Sequence, residues 1–344
     1  MLELTGQLLG YERNLEAASN SAISQADLPI FNQDWWISTA CKSSNFRALK
    51  VVIGDAVVGR FPIVLTRNRF GLVQAHDPHW SHLGGPVVDE RLSRSEQAEV
   101  IDRLLEQLPR WASFYFICNP DAPYADLTRA AFACRGFQQS AQLTFVRYPT
   151  DGEVMASRSG KHRGHIRRAA KELDCIDICA RDFVRFFQSN LEARGKASYS
   201  PLGTLELLIG EALGRGQARA LAATSRNRRE TGSNGDLIYD AAIVYAWDRM
   251  RCYYWLSTNR PAESSDLRPH PDAIKLLALR AMEDAQSMNL IFDADGVTTP
   301  GTQNLYRNMF GLREELRRDI FHRSTFLERV HRRYRPHFKA LIAR

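Results

Sequence analysis

Apolar positions recur at alternate residues through Leu49–Gly54 and again through Val57–Thr66. The Gly54-Asp55 pair between them predicts a β-hairpin. A third strand is expected over Phe70–Gln74. The spacing then changes. Val100, Ile101, Leu104, Leu105 and Leu108 line one side of a helix over Ser93–Leu108, with Ser93 or Ser95 as N-cap and Pro109 just beyond. Ser113–Cys118 reads as an apolar, aromatic strand. Tyr124–Cys134 reads as a helix closed at Arg135-Gly136, where glycine suits the left-handed C-terminal position, and Phe137–Tyr148 as another strand.

A second pass begins near residue 151. Helices are expected at 157–172, 181–194 and 202–213, and strands at 217–225, 236–247 and 250–258. A helix over 271–288, a strand over 290–293, a helix over 302–310 and a strand over 314–322 follow, and Thr325–Ile342 reads as a basic helix. Both passes run hairpin, helix, strand, helix, strand, which suggests a degenerate duplication without a sequence repeat. The expected division is 1–150 and 151–344.

A chain of 344 residues, 44% hydrophobic and 25% charged, has material for two ordinary globular domains. No apolar run has the length to span a bilayer, and the first twenty residues lack the basic flank and apolar core of a secretory signal, so a cytoplasmic location is expected. Net charge is +7 and the pI about 9.2, with much of the excess in 158–171 and 313–335. Such a surface attracts polyanions: tRNA, a phosphorylated cofactor or an acidic carrier protein. The six cysteines are scattered. Cys175 and Cys179 lie four apart in a segment read as a strand with no His-rich partner nearby, so reduced thiols are expected and a zinc site is not.

Several groups carry candidate chemistry. On a helix over Ser157–Leu173, Lys161, His165, Arg168 and Glu172 share one side, while Ile166, Ala169 and Ala170 form a narrow apolar seam. Lys161, Arg167 and Arg168 are candidate phosphate contacts, or else a solvated basic face. Arg194, Gly195 and Lys196 end a helix, where cations also complement the helix dipole without any further purpose. Alternation along Tyr253-Tyr254-Trp255 sends Tyr253 and Trp255 to one side and Tyr254 to the other. Asp293 ends a short apolar strand, where an acid can orient an amine or take its proton. Asp295-Gly296 is accounted for as a turn. No P-loop, Gly-x-Ser-x-Gly or His-Glu-x-x-His pattern is present.

The order strand, loop, helix, strand, acid, helix over 268–311 resembles the carboxy-terminal half of a Gcn5-related N-acetyltransferase (GNAT) domain. Its wording resembles the Fem-like branch, which ends with an acidic strand, a Pro-Gly turn and a Tyr/Phe-x-x-x-Phe-Gly segment. Ser157–Leu173 is similar to the S-x-K-x-R-x-x-I-R-R-A helix that opens the second domain in that branch, and FNQDWWISTA at 31–40 resembles its entry helix. The likeness is specific in the second half and thin in the first.

The resemblance implies an α/β (α+β) protein of two tandem GNAT-like domains, each a mixed, mostly antiparallel sheet flanked by helices. It also implies amide-bond formation by acyl transfer. In such a fold the strand bearing Tyr254 and Trp255 splays from its neighbour and pairs with the donor's arm. The Fem-type segment offers a lysine to the reacting carbonyl, here replaced by Arg307, and the GNAT habit makes Tyr306 a proton donor to the leaving group. Lys196 falls near the entrance between domains. Arg268-Pro269-His270-Pro271 stands where acetyl-CoA-dependent members carry a glycine-rich pyrophosphate loop. Two prolines and the lack of glycine between Arg260 and Asp295 remove that cradle. His270 becomes a candidate general base. Aminoacyl-tRNA is therefore the leading donor, with no tightly bound cofactor and no metal, and the acceptor is a small-molecule or cell-wall-precursor amine. The alternatives are an acyl-CoA or carrier-protein-dependent N-acyltransferase and a non-catalytic RNA-binding protein. The basic stretches lack the aromatic interleaving of base-stacking modules, which counts against the last.

Overall fold

A computed structural model describes residues 23–42, 45–68, 71–156, 160–198, 200–226, 238–261, 268–294, 300–327 and 329. The expected hairpin is β1 (Asn45–Ile53) and β2 (Ala56–Arg67), turning at Gly54 with φ +58°. It is followed by β3 (Val73–His76) and the short β4 (Val87–Val88). Helix α2 (Arg94–Glu106) starts with a capping box, in which Ser93 and Glu96 each satisfy the other's backbone N–H. Strand β5 (Ser113–Cys118), helix α3 (Ala125–Cys134) and strand β6 (Gln138–Arg147) complete the first half, with Gly136 left-handed at φ +72°. The stretch before β1 holds helix α1 (Asp34–Ala40).

The second half runs α4 (Gly160–Glu172), β7 (Leu173–Asp177), α5 (Ala180–Ala193), α6 (Leu202–Gly214), β8 (Ala218–Ser225), β9 (Ala241–Trp247) and β10 (Arg251–Asn259). It ends with α7 (Ala273–Ser287), β11 (Ile291–Asp293), α8 (Pro300–Asn304) and β12 (Arg313–Arg323). The expected 302–310 helix is split: α8 passes into a π-helical turn, Leu305–Met309. The expected third strand lies later than predicted, at Val73–His76. Asp295-Gly296 and nearly all of the predicted basic helix over Thr325–Ile342 fall outside the described residues.

Among the described residues, all twelve strands join one mixed, mostly antiparallel sheet in the order β1-β2-β3-β5-β12-β6-β11-β10-β9-β8-β7, with β4 on β2. Only β3–β5 and β10–β11 pair in parallel among the named strands. The last strand, β12, inserts between β5 and β6, so the end of the chain completes the sheet begun by its first half. Helices α2 and α3 cover one face of that part around Phe61, Phe116 and Phe132. The second-half strands are covered on both faces, which is why β9 reads as an unbroken apolar run. Here α4 and α7 form the back layer over Tyr254 and Phe292. Helices α1, α5 and α6 form the front layer over Tyr253 and Trp255.

Candidate active site at the end of the second parallel strand pair

The pairing of β10 with β11 runs from Arg251↔Ile291 to Tyr253↔Asp293 and stops there. Ala294 still donates its N–H to the Phe145 carbonyl beside β6 (2.8 Å), while β10 continues alongside β9 to Asn259. Among the described residues the pairing of β11 with β10 ends at Asp293, the place where the resemblance to a GNAT domain leads one to expect a splay.

Register assigns the side chains to faces, because directly paired residues share a face and neighbours in sequence do not. Asp293 shares the front face with Tyr253 and Arg251 of β10, Thr144 of β6 and Glu315 of β12. Asp293 is 2% exposed, and Thr144 Oγ1 donates to its Oδ1 at 2.7 Å. Burial pushes its carboxyl up to about 6, against the pull of the Thr144 bond and the Arg251 and Arg318 charges. Arg251 is 9% exposed. Its Nη2 donates to Asp121 (3.0 Å) and lies 3.9 Å from Glu315, and its Nη1 lies 3.9 Å from Asp293. The Tyr148 hydroxyl donates to Glu315. A carboxyl that titrates near neutrality beside a fixed cation is suited to accepting a proton from an amine.

On the back face, Tyr254 packs 6.1 Å from Phe292, and Tyr306 lies between Phe145 (5.8 Å) and Phe310 (6.2 Å, stacked). Burial raises the hydroxyl pKa of both tyrosines. Arg307 lies with its guanidinium 5.9 Å over the Phe145 ring, ion-paired to Glu314 and half exposed. The alternation of Tyr253-Tyr254-Trp255 is as read from sequence, and all three rings are buried. Trp255 packs against Trp36 with ring centroids 4.8 Å apart and planes tilted by 59°, and donates to the Trp80 carbonyl.

The remaining candidates lie elsewhere. His270 pairs with Glu172 (3.2 Å), and its N–H donates to Asp240, whose own carbonyl accepts from Arg260 just past β10. Arg260 is seven residues along the chain from Tyr253, roughly 20 Å from Asp293 at strand rise, so His270 and Asp293 cannot serve one reacting atom. At the start of α7 the carboxylate of Asp272, 4% exposed, pairs with Lys275 and lies 3.1 Å from His165. Lys161, Arg167 and Arg168 are exposed on α4, which packs on the back layer through Ile166 and Ala169. Lys196 is exposed after α5, in the front layer, where Gly195 (φ +62°) ends the helix and Arg194 reaches Asn259.

The first parallel pair was not read as a site from sequence. It ends at His76↔Tyr115, and Asp77 turns into the gap beyond. Its two oxygens accept N–H bonds from Gly85 (3.2 Å) and Ile117 (2.7 Å), and Gly84 donates to the Ile117 carbonyl (2.7 Å). Burial pushes the Asp77 carboxyl up to about 7, against those two backbone bonds. Sequence reading also passed over Arg251, Thr144, Glu315 and Asp121. Nothing in their spacing links positions so far apart. For Asp77 there was a signal: a His-Asp-Pro-His run and a Gly-Gly pair directly after a strand.

No protein-family model matches the chain, and no curated protein matches it. Solved structures do. FemX superposes with a TM-score of 0.58 at 11% identity, over 85% of this chain and 91% of FemX. The C-terminal domain (DUF2156) of a putative lysylphosphatidylglycerol synthetase from Agrobacterium fabrum gives 0.50 at 11% identity, over 81% and 84%. The chain therefore has the fold of FemX, and the Fem-like, GNAT-type resemblance read from its sequence holds at the level of that fold.

Proposed function

We propose that the chain is an acyltransferase that forms amide bonds, passing an aminoacyl group from aminoacyl-tRNA to an amine-bearing acceptor. The observation that carries this reading is Asp293: a buried carboxyl, raised to about 6, where the described pairing of β10 with β11 ends. The donor threads the splay from the back, past Tyr254 and Tyr306. The amine approaches from the front and gives its proton to Asp293 as its nitrogen adds to the carbonyl carbon. The ester C–O bond then breaks, and Tyr306 protonates the departing oxygen. The proposed division is an N-terminal GNAT-like domain, 1–150, and a C-terminal, catalytic GNAT-like domain, 151–344, whose strands meet where β11 and β12 pair with β6.

Two features favour a tRNA donor over acyl-CoA. The α7 N-terminus, where a pyrophosphate would seat on free N–H groups, carries the Asp272 carboxylate and follows two prolines. The exposed Lys161, Arg167 and Arg168 on α4 lie on the donor's side of the sheet. The second structural neighbour carries the name of a putative lysylphosphatidylglycerol synthetase.

A donor screen tests the proposal: charged tRNA pools against acyl-CoAs with a panel of amines, read by mass spectrometry of the product. The expected amide appears with charged tRNA and vanishes after RNase. Product that survives RNase and follows added acyl-CoA defeats the tRNA reading in favour of an acyl-CoA-dependent N-acyltransferase. Reversing the charges at Lys161, Arg167 and Arg168 should weaken donor binding and flatten its salt dependence.

A further inference from the structure

Arg251 is the guanidinium buried beside Asp293, and part of it is unused. Its Nη2 is held by Asp121, but Nη1 is buried and hydrogen-bonds to none of the described residues. A buried donor left without an acceptor is costly, and such groups in native proteins call for an explanation. This one lies 3.9 Å from the carboxylate already assigned to the reacting amine. Arg307, the cation the sequence suggested for the carbonyl, lies on the opposite face and is satisfied by Glu314 at the protein surface.

Resting on the acyl-transfer reading, we infer that Arg251, rather than Arg307, is the cation of the reacting centre, its Nη1 donating to the carbonyl oxygen as the amine adds. The charge balance favours this arrangement. Before the step, the negative charge beside Arg251 is on Asp293. As the C–N bond forms, the carbonyl π pair moves to oxygen and the amine proton moves to Asp293. One negative charge has shifted from carboxylate to oxyanion, both within reach of the same guanidinium, so no uncompensated charge develops in the buried site. Collapse of the intermediate returns the pair to carbon as the ester C–O bond breaks. A preorganised donor of this kind acts mainly on the transition state, because the ground-state carbonyl carries less charge.

The surrounding groups restrict the alternatives. Glu315 is engaged by Tyr148, and Asp121 by Arg251 itself, so neither competes as the base. Arg318 of β12 gives Gln142 a hydrogen bond at 3.3 Å and contributes charge to the Asp293 environment from the far side of β6.

The test uses the full chain carrying Arg251→Gln, Arg251→Lys or Arg307→Ala, each checked for folding by circular dichroism and melting. With the donor that supports turnover, Arg251→Gln should lower kcat about 100-fold or more, the usual cost of one such donor, with the KM for donor little changed. Arg251→Lys keeps the charge if the glutamine variant fails to fold, and should still lose at least about tenfold, because ammonium lacks the planar fork. Arg307→Ala should turn over nearly as wild type. Near-normal kcat in folded Arg251→Lys or Arg251→Gln, or a larger loss in Arg307→Ala, overturns the assignment. If wild type forms no amide with any donor, the acyl-transfer reading fails by itself. Arg251 is then judged by calorimetry with methylphosphonate, an anion shaped like the intermediate. Binding by wild type that is lost in Arg251→Lys upholds an oxyanion site at Arg251. Equal binding, or none by wild type, removes it.

Discussion

The two parallel strand pairs of this sheet end in opposite ways. After His76↔Tyr115 the gap between β3 and β5 is taken by the chain itself: the Asp77 carboxylate bridges the Gly85 and Ile117 amides, and Gly84 pairs with β5. After Tyr253↔Asp293 no such bridge forms between the described residues of β10 and β11. Each pair thus has a buried acid at its end, raised by burial to about 7 in Asp77 and about 6 in Asp293. Asp77 spends both oxygens on backbone donors. Asp293 takes a side-chain hydroxyl from Thr144 and faces a guanidinium. The same strand geometry serves as a sealed joint in one half and, in our reading, as a working site in the other. The joint also locks the halves together, since Trp80 within the sealing loop accepts from Trp255 and donates to the Pro201 carbonyl.

The sharpest way to break this comparison is to neutralise each acid in turn. Asp293→Asn keeps the shape and can still accept from Thr144, but it cannot take a proton. Turnover should drop on the order of 100- to 10,000-fold, the usual contribution of a positioned general base, in a protein that melts no lower than wild type. Asp77→Asn should leave turnover per folded molecule within a few-fold, while its new NH2 group faces a backbone N–H and, at pH 4 where the folded protein holds both acids protonated, lowers stability by roughly 1–3 kcal/mol. Steady-state kinetics beside denaturant titrations would separate the two. Equal kinetic losses would make the distinction between joint and site untenable.

Glycine is required at the sealed joint for space, which gives the next largest effect. A Cβ at Gly84 would overlap the Asp77 carboxylate, and one at Gly85, where φ is +83°, would overlap Cys118 Sγ. Gly84→Ala should therefore cost about 3 kcal/mol, in the range of forced overpacking, read as a lower denaturation midpoint with unchanged slope. A loss under about 0.5 kcal/mol would mean that the loop yields easily and seals nothing.

How much of this was legible beforehand depends on the range over which each feature is specified. Hairpin, helix and strand positions come from local spacing, and β5, Ser113–Cys118, lies where the pattern put it. The faces of Tyr253, Tyr254 and Trp255 followed from period two. Asp293 was found because it ends an apolar run. Arg251 was not, because its meaning depends on Asp121, Asp293 and Glu315, brought together from three other segments by the insertion of β12 between β5 and β6. The gap between His270 and Asp293 was invisible for the same reason: sequence places both near the end of the chain, whereas the length of β10 separates them. The π turn at Leu305–Met309 has no periodic signature of its own within so short a helix.

The smallest effect distinguishes the two acids by pH alone. Both carboxyls are raised above their unfolded value of 3.8, so the folded protein holds these protons more tightly than the unfolded chain. Their contribution to stability is greatest below pH 3.8 and is lost as pH rises, through about 6 for Asp293 and about 7 for Asp77. Asparagine at 293 removes the first loss. The stability of Asp293→Asn relative to wild type should be near zero at pH 4, climb between pH 4 and 6, and level off at roughly 3 kcal/mol in favour of the variant. For Asp77→Asn a similar rise should extend to about pH 7, but displaced downward throughout by the lost backbone bonds. Urea titrations at half-unit intervals would resolve the two difference curves. Flat, parallel curves would show that neither acid is held protonated by burial, and Asp293 would lose its standing as a base poised near neutrality.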